Sequence, residues 1–167
     1  MRIGIISDIH DNLWNLRPAL AALQDCQALL VLGDLCSPFT LIEIAQSFNG
    51  SIHIVWGNND GDKQHLALNA MRHEQVTLHG DFGEIELGGK RIAIAHYPHL
   101  GAALAAGQQY DLVCHGHNHQ RAQTWQGHTL LLNPGEIMGR FGAPSYAVYD
   151  TERAQAEIIE LPHASVP

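Results

Sequence analysis

The stretch Ile3-Gly4-Ile5-Ile6-Ser7-Asp8-Ile9-His10 decides the fold expected for this chain. Its apolar half is typical of a buried β-strand, and the strand ends in the polar residues Asp8 and His10. Because residues two apart in a strand face the same side, the carboxylate and the imidazole would project together from the strand's carboxyl end. The stretch therefore predicts a buried strand that carries two candidate metal ligands.

Two further apolar runs with a polar ending follow along the chain. Residues 28–32 lead into Gly33-Asp34, and residues 52–56 lead into Gly57-Asn58-Asn59-Asp60. Apolar residues at helical spacing separate these runs, so the first half alternates strand and helix. This alternation predicts a parallel sheet joined by right-handed crossovers.

The first connecting helix has two alternative starts. If Asn15 caps it, Pro18 falls in the first turn, where a missing N–H costs nothing. If the helix begins at Asn12 instead, Pro18 lies inside it and should kink it. The second connecting helix has a clearer start, because Ser37-Pro38 places a cap residue before proline at the first helical position.

Short strands dominate the second half of the chain. Residues 83–87 and 91–95 are joined across Gly88-Gly89, which predicts a hairpin, and His96 follows the second of them. Residues 112–114 form a strand that leads into His115-Gly116-His117-Asn118-His119. Four last strands, over residues 122–125, 129–132, 145–149 and 156–161, are predicted to finish the chain as an antiparallel run. We expect one α/β domain over residues 1–167, with two mixed sheets packed face to face and helices outside.

Composition excludes several classes of function. The chain has 167 residues, of which 46% are hydrophobic and 16% are charged, as expected for a folded domain. Its net charge of −8 argues against a role in coating nucleic acid, which needs a basic face. Three cysteines without zinc-finger spacing predict free thiols in a reducing cytoplasm. We expect no signal peptide and no membrane association.

Seven side chains with oxygen or nitrogen donors stand at predicted strand ends or just after them. They are Asp8, His10, Asp34, Asn58, His96, His117 and His119. Ligand sites in open α/β sheets lie beyond the carboxyl ends of the strands. Seven donors are too many for one small cation, and they suit two divalent ions about 3.5–4 Å apart with a bridging carboxylate. A donor set without thiolate favours Mn, Fe, Co, Ni or Zn over calcium.

The order of these motifs resembles a known family. Along the chain stand Asp8-x-His10, Gly33-Asp34, Gly57-Asn58, His96 and Gly116-His117-x-His119. This series resembles the calcineurin-like metallophosphoesterases, and over nearly the full chain. The short length, together with Asn133-Pro134-Gly135, resembles the small single-domain prokaryotic branch often called YfcE-like.

The resemblance implies a fold, a ligand set and a reaction. The fold would be a four-layer αββα sandwich. One metal ion would be held by Asp8, His10, Asp34 and His119, and the other by Asp34, Asn58, His96 and His117. The implied reaction is hydrolysis of small-molecule phosphoesters, diesters in preference to monoesters, by attack of a metal-bridging hydroxide. Manganese is expected first among the possible metals.

One position departs from the family pattern. Many members have His after the metal-binding Asn, and that His is thought to protonate the leaving group, whereas this chain has Asn59. An amide can hydrogen-bond a developing alkoxide but delivers no proton, so a general-acid contribution of about 10²–10⁴-fold would be missing. His99, near His96 in sequence, is the candidate substitute. We therefore predict a preference for good leaving groups.

A second function comes from a different class. The eukaryotic retromer subunit with this fold binds proteins, so a catalytically silent scaffold is the alternative to a phosphoesterase. A protein-binding scaffold would not need to keep every metal ligand, so the presence of all seven candidate ligands argues against this alternative. The natural substrate and the oligomeric state are left open, a homo-oligomer included.

Overall fold

The computed structural model describes residues 1–162. They form eleven strands and four helices. The strands are β1 (Arg2–Ile6), β2 (Ala28–Val31), β3 (Ser51–Ile54), β4 (Val76–Leu78), β5 (Phe82–Leu87), β6 (Lys90–Ala95), β7 (Leu112–Cys114), β8 (Ala122–Gln126), β9 (Thr129–Asn133), β10 (Ser145–Asp150) and β11 (Gln155–Glu160). The helices are α1 (Leu13–Ala22), α2 (Pro38–Ser47), α3 (Lys63–Ala70) and α4 (Pro98–Ala106).

The strands form two mixed sheets. The six-stranded sheet has the order β11-β10-β1-β2-β3-β4, and its strands β1 to β4 are parallel. The five-stranded sheet has the order β5-β6-β7-β9-β8, with the predicted hairpin between β5 and β6. The parallel first half and the two mixed sheets expected from the sequence are confirmed.

The predicted antiparallel run over the last four strands is wrong as a single unit. β8 and β9 pair antiparallel, but β9 also pairs parallel with β7 in the five-stranded sheet. β10 lies in the other sheet, antiparallel to β1, and β11 pairs with β10. Strand partners are set by contacts between distant segments, so short neighbouring strands gave no sign that the chain changes sheets between β9 and β10.

Three apolar interfaces separate four layers of secondary structure. In β1, Ile3 and Ile5 face the core between the two sheets, whereas Ile6 faces the core beneath the helices. This alternation follows the two-residue period of a strand. On the outer face of the five-stranded sheet, Ala105 of α4 packs against Val113. The result is the predicted αββα sandwich.

The helix starts depend on local caps. Asn12 caps α1, accepting the N–H of Asn15 through its side chain at 3.2 Å. The first of the two alternative starts is therefore wrong, and Pro18 lies within the helix. Pro18 is on the exposed side of this helix. Ser37 precedes α2 with Pro38 at its first position, as predicted, but its side chain makes no capping hydrogen bond and donates instead to Oδ1 of Asp11 at 2.7 Å.

Candidate metal centre

Five of the seven predicted metal ligands have left-handed backbone conformations. The angle φ is +52° at Asp8, +47° at His10, +54° at Asp34, +72° at His117 and +60° at His119. Non-glycine residues rarely adopt this conformation, and it concentrates where a fold holds functional side chains in place. The turns after the strands therefore hold these side chains in place, and the strained backbone of these turns costs conformational energy.

Asp8, His10 and His119 form one group of donors. One potential ligand atom from each lies within 4.8 Å of the others. The distance from Nε2 of His119 to Oδ1 of Asp8 is 3.5 Å. Oδ1 of Asp8 and Nε2 of His10 are buried and have no hydrogen-bond partner among residues 1–162. Because an unpaired buried polar atom costs about 1–3 kcal/mol, two in one group fit a site shaped for a cation.

Asn58, His96 and His117 form a second group. The side-chain oxygen of Asn58 lies 3.0 Å from Nε2 of His96 and 2.8 Å from Nδ1 of His117. These two ring nitrogens are 3.3 Å apart. Three side chains with potential ligand atoms therefore converge on a small volume beside the first group.

Asp34 lies between the two groups. Its Oδ2 is 3.4 Å from Nε2 of His10 and 3.6 Å from Nε2 of His96. Asp8, Asp34 and His96 also have ligand atoms within 4.8 Å of one another. The carboxylate expected to be shared is thus within reach of donors from both groups, and its role as a bridge stays a prediction.

The backbone at position 57 passes so close to Asp34 that only glycine fits there. A buried carboxylate, that of Asp60, links the two turns. A Cβ on Gly57 would lie 2.1 Å from Oδ1 of Asp34 and 2.4 Å from its backbone nitrogen. Asp60 accepts the N–H groups of Asp34 at 3.2 Å, Gly57 at 2.7 Å and Cys36 at 2.9 Å. Asp60 therefore ties the turn after β2 to the turn after β3.

Within residues 1–162, hydrogen bonds reach only one of the two carboxylate oxygens of Asp8. Its Oδ2 accepts the hydroxyl of Ser7 at 2.6 Å and the backbone N–H of His117 at 3.0 Å. Burial raises the pKa of Asp8 above its ordinary value, and these hydrogen bonds together with the charges of His96 and His119 act in the opposite direction. A cation next to Oδ1 would favour the ionised form further.

Hydrogen bonds at the far ring nitrogen orient two of the histidines. Nδ1 of His96 is 2.7 Å from the carbonyl oxygen of Leu32, so it donates and leaves the lone pair on Nε2. Nδ1 of His119 is 2.6 Å from Oε2 of Glu136 in the same way. Sequence reasoning missed Glu136. It follows Asn133-Pro134-Gly135 directly, but no periodicity or spacing linked it to His119.

The two residues considered for the leaving group lie in different surroundings. Asn59 is directed at Asp34, to which its backbone N–H and its side-chain amide both donate. His99 is exposed on the first turn of α4, and its ring is 5.5 Å from that of Tyr97. Tyr97 in turn lies 5.0 Å from the ring of His117. His99 is therefore one aromatic ring away from the donor group.

The donor set fits divalent cations. It consists of carboxylate, amide and imidazole groups, which suit first-row divalent metals. Asp8 is 0% exposed and Asp34 is 1% exposed. Two buried carboxylates this close repel each other unless positive charge lies nearby.

No helix within residues 1–162 is both long enough and apolar enough to span a bilayer.

Known proteins match this chain in sequence and in structure. The family model for the calcineurin-like phosphoesterase superfamily domain matches residues 1–154. A phosphodiesterase of Methanocaldococcus jannaschii, MJ0936, is 33% identical over 167 aligned residues, which cover 96% of this chain and 99% of the relative.

Solved structures show the same architecture. A structure described as a novel archaeal phosphodiesterase superposes with a TM-score of 0.88 at 32% identity, covering 96% of this chain and 100% of that one. Vps29 of Entamoeba histolytica, solved in complex with Zn²⁺, has a TM-score of 0.68 at 18% identity, covering 96% and 99%. At this identity the likeness to Vps29 shows the fold alone. Taken with the family match over residues 1–154, these similarities show that the chain belongs to the calcineurin-like phosphoesterase superfamily.

Proposed function

We propose that this protein is a binuclear metal-dependent phosphoesterase that hydrolyses small-molecule phosphodiesters. The observation that carries the proposal is a pair of buried atoms, Oδ1 of Asp8 and Nε2 of His10, that have no hydrogen-bond partner among the described residues and lie within a cluster of further donors. Such atoms are rare in folded proteins unless an ion or a water completes them. The phosphodiesterase relative, matched along nearly its whole length, supports the reaction class.

Two ligand sets would hold the two ions. The first consists of Asp8, His10, Asp34 and His119. The second consists of Asp34, Asn58, His96 and His117. Asp34 belongs to both sets because its Oδ2 is within 3.6 Å of a ring nitrogen of each. When bound, the two cations would acidify a water and neutralise charge on the phosphoryl oxygens.

The protein's own residues would prepare this chemistry by fixing orientation. Asn59 holds both oxygens of Asp34, and Asp60 holds the backbone of the turn that carries it. Ser7 and the N–H of His117 fix one oxygen of Asp8 and leave the other available. Groups that need no rearrangement during reaction lower its barrier.

Asn59 limits how this site can protonate a leaving group. The side-chain amide of Asn59 already donates to Oδ2 of Asp34 at 2.8 Å, and an amide has no proton to transfer. His99 remains the candidate acid, through movement of its exposed side chain towards the substrate. Esters of acidic alcohols and phenols would therefore be the preferred substrates.

Several further properties complete the proposal. We expect manganese to be the most active metal, with Fe, Co, Ni and Zn as alternatives that the same donors accept. Its partner is a small phosphate ester. We expect the protein to act in the cytoplasm, without coating nucleic acid and without associating with a membrane. The oligomeric state is open, a homo-oligomer included.

Hydrolysis of a chromogenic phosphodiester tests the proposal. Bis(p-nitrophenyl) phosphate and p-nitrophenyl phosphate are incubated with metal-free protein, and with protein loaded with each divalent metal in turn. We expect turnover only with metal, and faster turnover of the diester. An absence of turnover with every metal would favour the alternative, a protein-binding scaffold of the same fold.

A further inference from the structure

We infer that Glu136 is a positioning residue that holds His119 in the tautomer and orientation needed for metal binding. This inference rests on the proposed function, because it concerns one ligand of the proposed metal pair. It goes beyond that function by naming a residue outside the seven predicted ligands. The contacts of a single buried carboxylate carry it.

The two oxygens of Glu136 have different partners. Oε2 is 2.6 Å from Nδ1 of His119. Oε1 accepts the backbone N–H of Phe141 at 2.6 Å and that of Gly142 at 2.8 Å. The residue is 1% exposed. A buried carboxylate is costly unless its oxygens are paired, and here each oxygen has a donor.

This arrangement determines which nitrogen of His119 carries the proton. A carboxylate oxygen accepts, so Nδ1 of His119 must donate. In the neutral ring the lone pair then lies on Nε2, the atom that is 3.5 Å from Oδ1 of Asp8. Ligating histidines commonly show this pattern, in which a carboxylate fixes the tautomer and raises the basicity of the ligand nitrogen.

The segment that carries Glu136 is attached to the turn that carries Asp8. The N–H of Ile137 donates to the carbonyl of Ser7 at 3.0 Å, and the N–H of Met138 donates to the carbonyl of Asp8 at 2.9 Å. The carbonyl of Glu136 itself accepts the N–H of Ser145 at 2.8 Å. Glu136 therefore sets the position of His119 relative to Asp8.

Replacement of Glu136 by glutamine would separate hydrogen bonding from packing. Two backbone N–H groups face the Oε1 position, so the amide oxygen must lie there and the amide NH₂ must face His119. The NH₂ donates, so Nδ1 becomes the acceptor and the ring proton moves to Nε2, where it must be displaced before this nitrogen can bind metal. In the Ser-His-Asp triad, the corresponding replacement of Asp by Asn leaves the geometry intact but lowers kcat about 10⁴-fold, because the histidine adopts the wrong tautomer.

The first test measures metal binding. Wild-type, Glu136→Gln and the matched surface control Glu86→Gln are stripped of metal and titrated with Mn²⁺ by calorimetry, and circular dichroism verifies the fold. We expect two sites in the wild type and in the control. In Glu136→Gln we expect the affinity of one site to fall about 10–100-fold. Two sites within twofold of the wild-type affinity in Glu136→Gln would overturn the inference.

The second test can be decided on wild-type protein alone. Nitrogen-15 NMR of metal-free wild-type protein at mildly alkaline pH reports the tautomer of each neutral histidine. We expect the His119 proton on Nδ1, and on Nε2 in Glu136→Gln. A wild-type His119 protonated on Nε2 would overturn the inference even if Glu136→Gln failed to fold. A wild type that binds no Mn²⁺ but keeps the Nδ1 proton would instead contradict the proposed function.

Discussion

Asn59 donates two hydrogen bonds to Asp34, one to each carboxylate oxygen. Its backbone N–H reaches Oδ1 at 2.7 Å, and its side-chain amide reaches Oδ2 at 2.8 Å. Two bonds to two oxygens fix the plane of the carboxylate as well as its position. These two bonds orient the central carboxylate of the proposed centre, at the position where the family resemblance led us to expect a leaving-group acid.

We predict that the rate of phosphodiester hydrolysis falls steeply as the pKa of the leaving group rises, because Asn59 has no proton to deliver. In Asn59→His, turnover of esters with poor leaving groups should rise up to about 10²-fold relative to that of aryl esters. The measurement is kcat across a series of aryl and alkyl phosphodiesters. Asn49→His, on an exposed loop, is the matched control. A flat dependence in the wild type would contradict the prediction.

Asp34→Asn should remove binding of both ions. The amide loses the charge that both ions would share, and its NH₂ would face the N–H donors of Asn59. We expect a loss of affinity beyond the 10–100-fold typical of outer partners. Calorimetry with Mn²⁺ gives the number of sites and their affinities, and Asp81→Asn on the surface is the control. Retention of one site at full affinity would show that Asp34 is no bridge.

Gly57→Ala should displace Asp34. The new methyl group would lie 2.1 Å from Oδ1 of Asp34 and 2.4 Å from its backbone nitrogen. We expect a loss of about 1–3 kcal/mol in the free energy of unfolding, together with weaker metal binding. Gly142→Ala is the control, because nothing lies within 4 Å of its added Cβ. Equal stability of the two variants in urea would refute the close contact.

Metal addition should stabilise the protein. Oδ1 of Asp8 and Nε2 of His10, which have no hydrogen-bond partner within residues 1–162, would bind an ion together only in the folded state. At a free Mn²⁺ concentration 100 times the dissociation constant, one site adds about 2.7 kcal/mol to the free energy of unfolding. The measurement is the urea midpoint with Mn²⁺ and after chelation. We expect a smaller shift in Asp8→Asn, and an equal shift there would count against this site.

Acid should destabilise the fold through His53. Its Nδ1 is 3.0 Å from Nε2 of His79, and its own Nε2 is buried with no hydrogen-bond partner in the described part of the chain. Burial lowers the pKa of His53 to about 4. Between the ordinary value of 6.5 and about 4 the unfolded chain binds the proton that the folded chain refuses. The contribution of neutral His53 to the free energy of unfolding is therefore fully present above about pH 6.5 and is lost as the pH drops towards 4. His53→Gln should show a smaller fall in urea midpoint over this range, and an identical fall would contradict the assignment.

Sequence reasoning found the elements and the candidate ligands because both depend on local signals. Apolar runs of strand length, each ended by Asp, Asn or His, predicted the parallel half of the first sheet. The edge at which parallel strands end then predicted that Asp8, Asp34 and Asn58 would meet. The structure brings these side chains together with His10, His96, His117 and His119, as the pattern indicated.

Only the tertiary structure decided the remaining features, because they depend on segments far apart in the chain. It assigned β9 and β10 to different sheets and directed Asn59 at Asp34. It also placed Glu136 beside His119, a contact made by two turns that share no periodicity. The sequence by itself determined which residues offer ligand atoms, since those follow from residue type and strand ends. The hydrogen bonds that orient each ligand residue, and that leave one of its atoms available for a metal ion, exist only once the two sheets have packed.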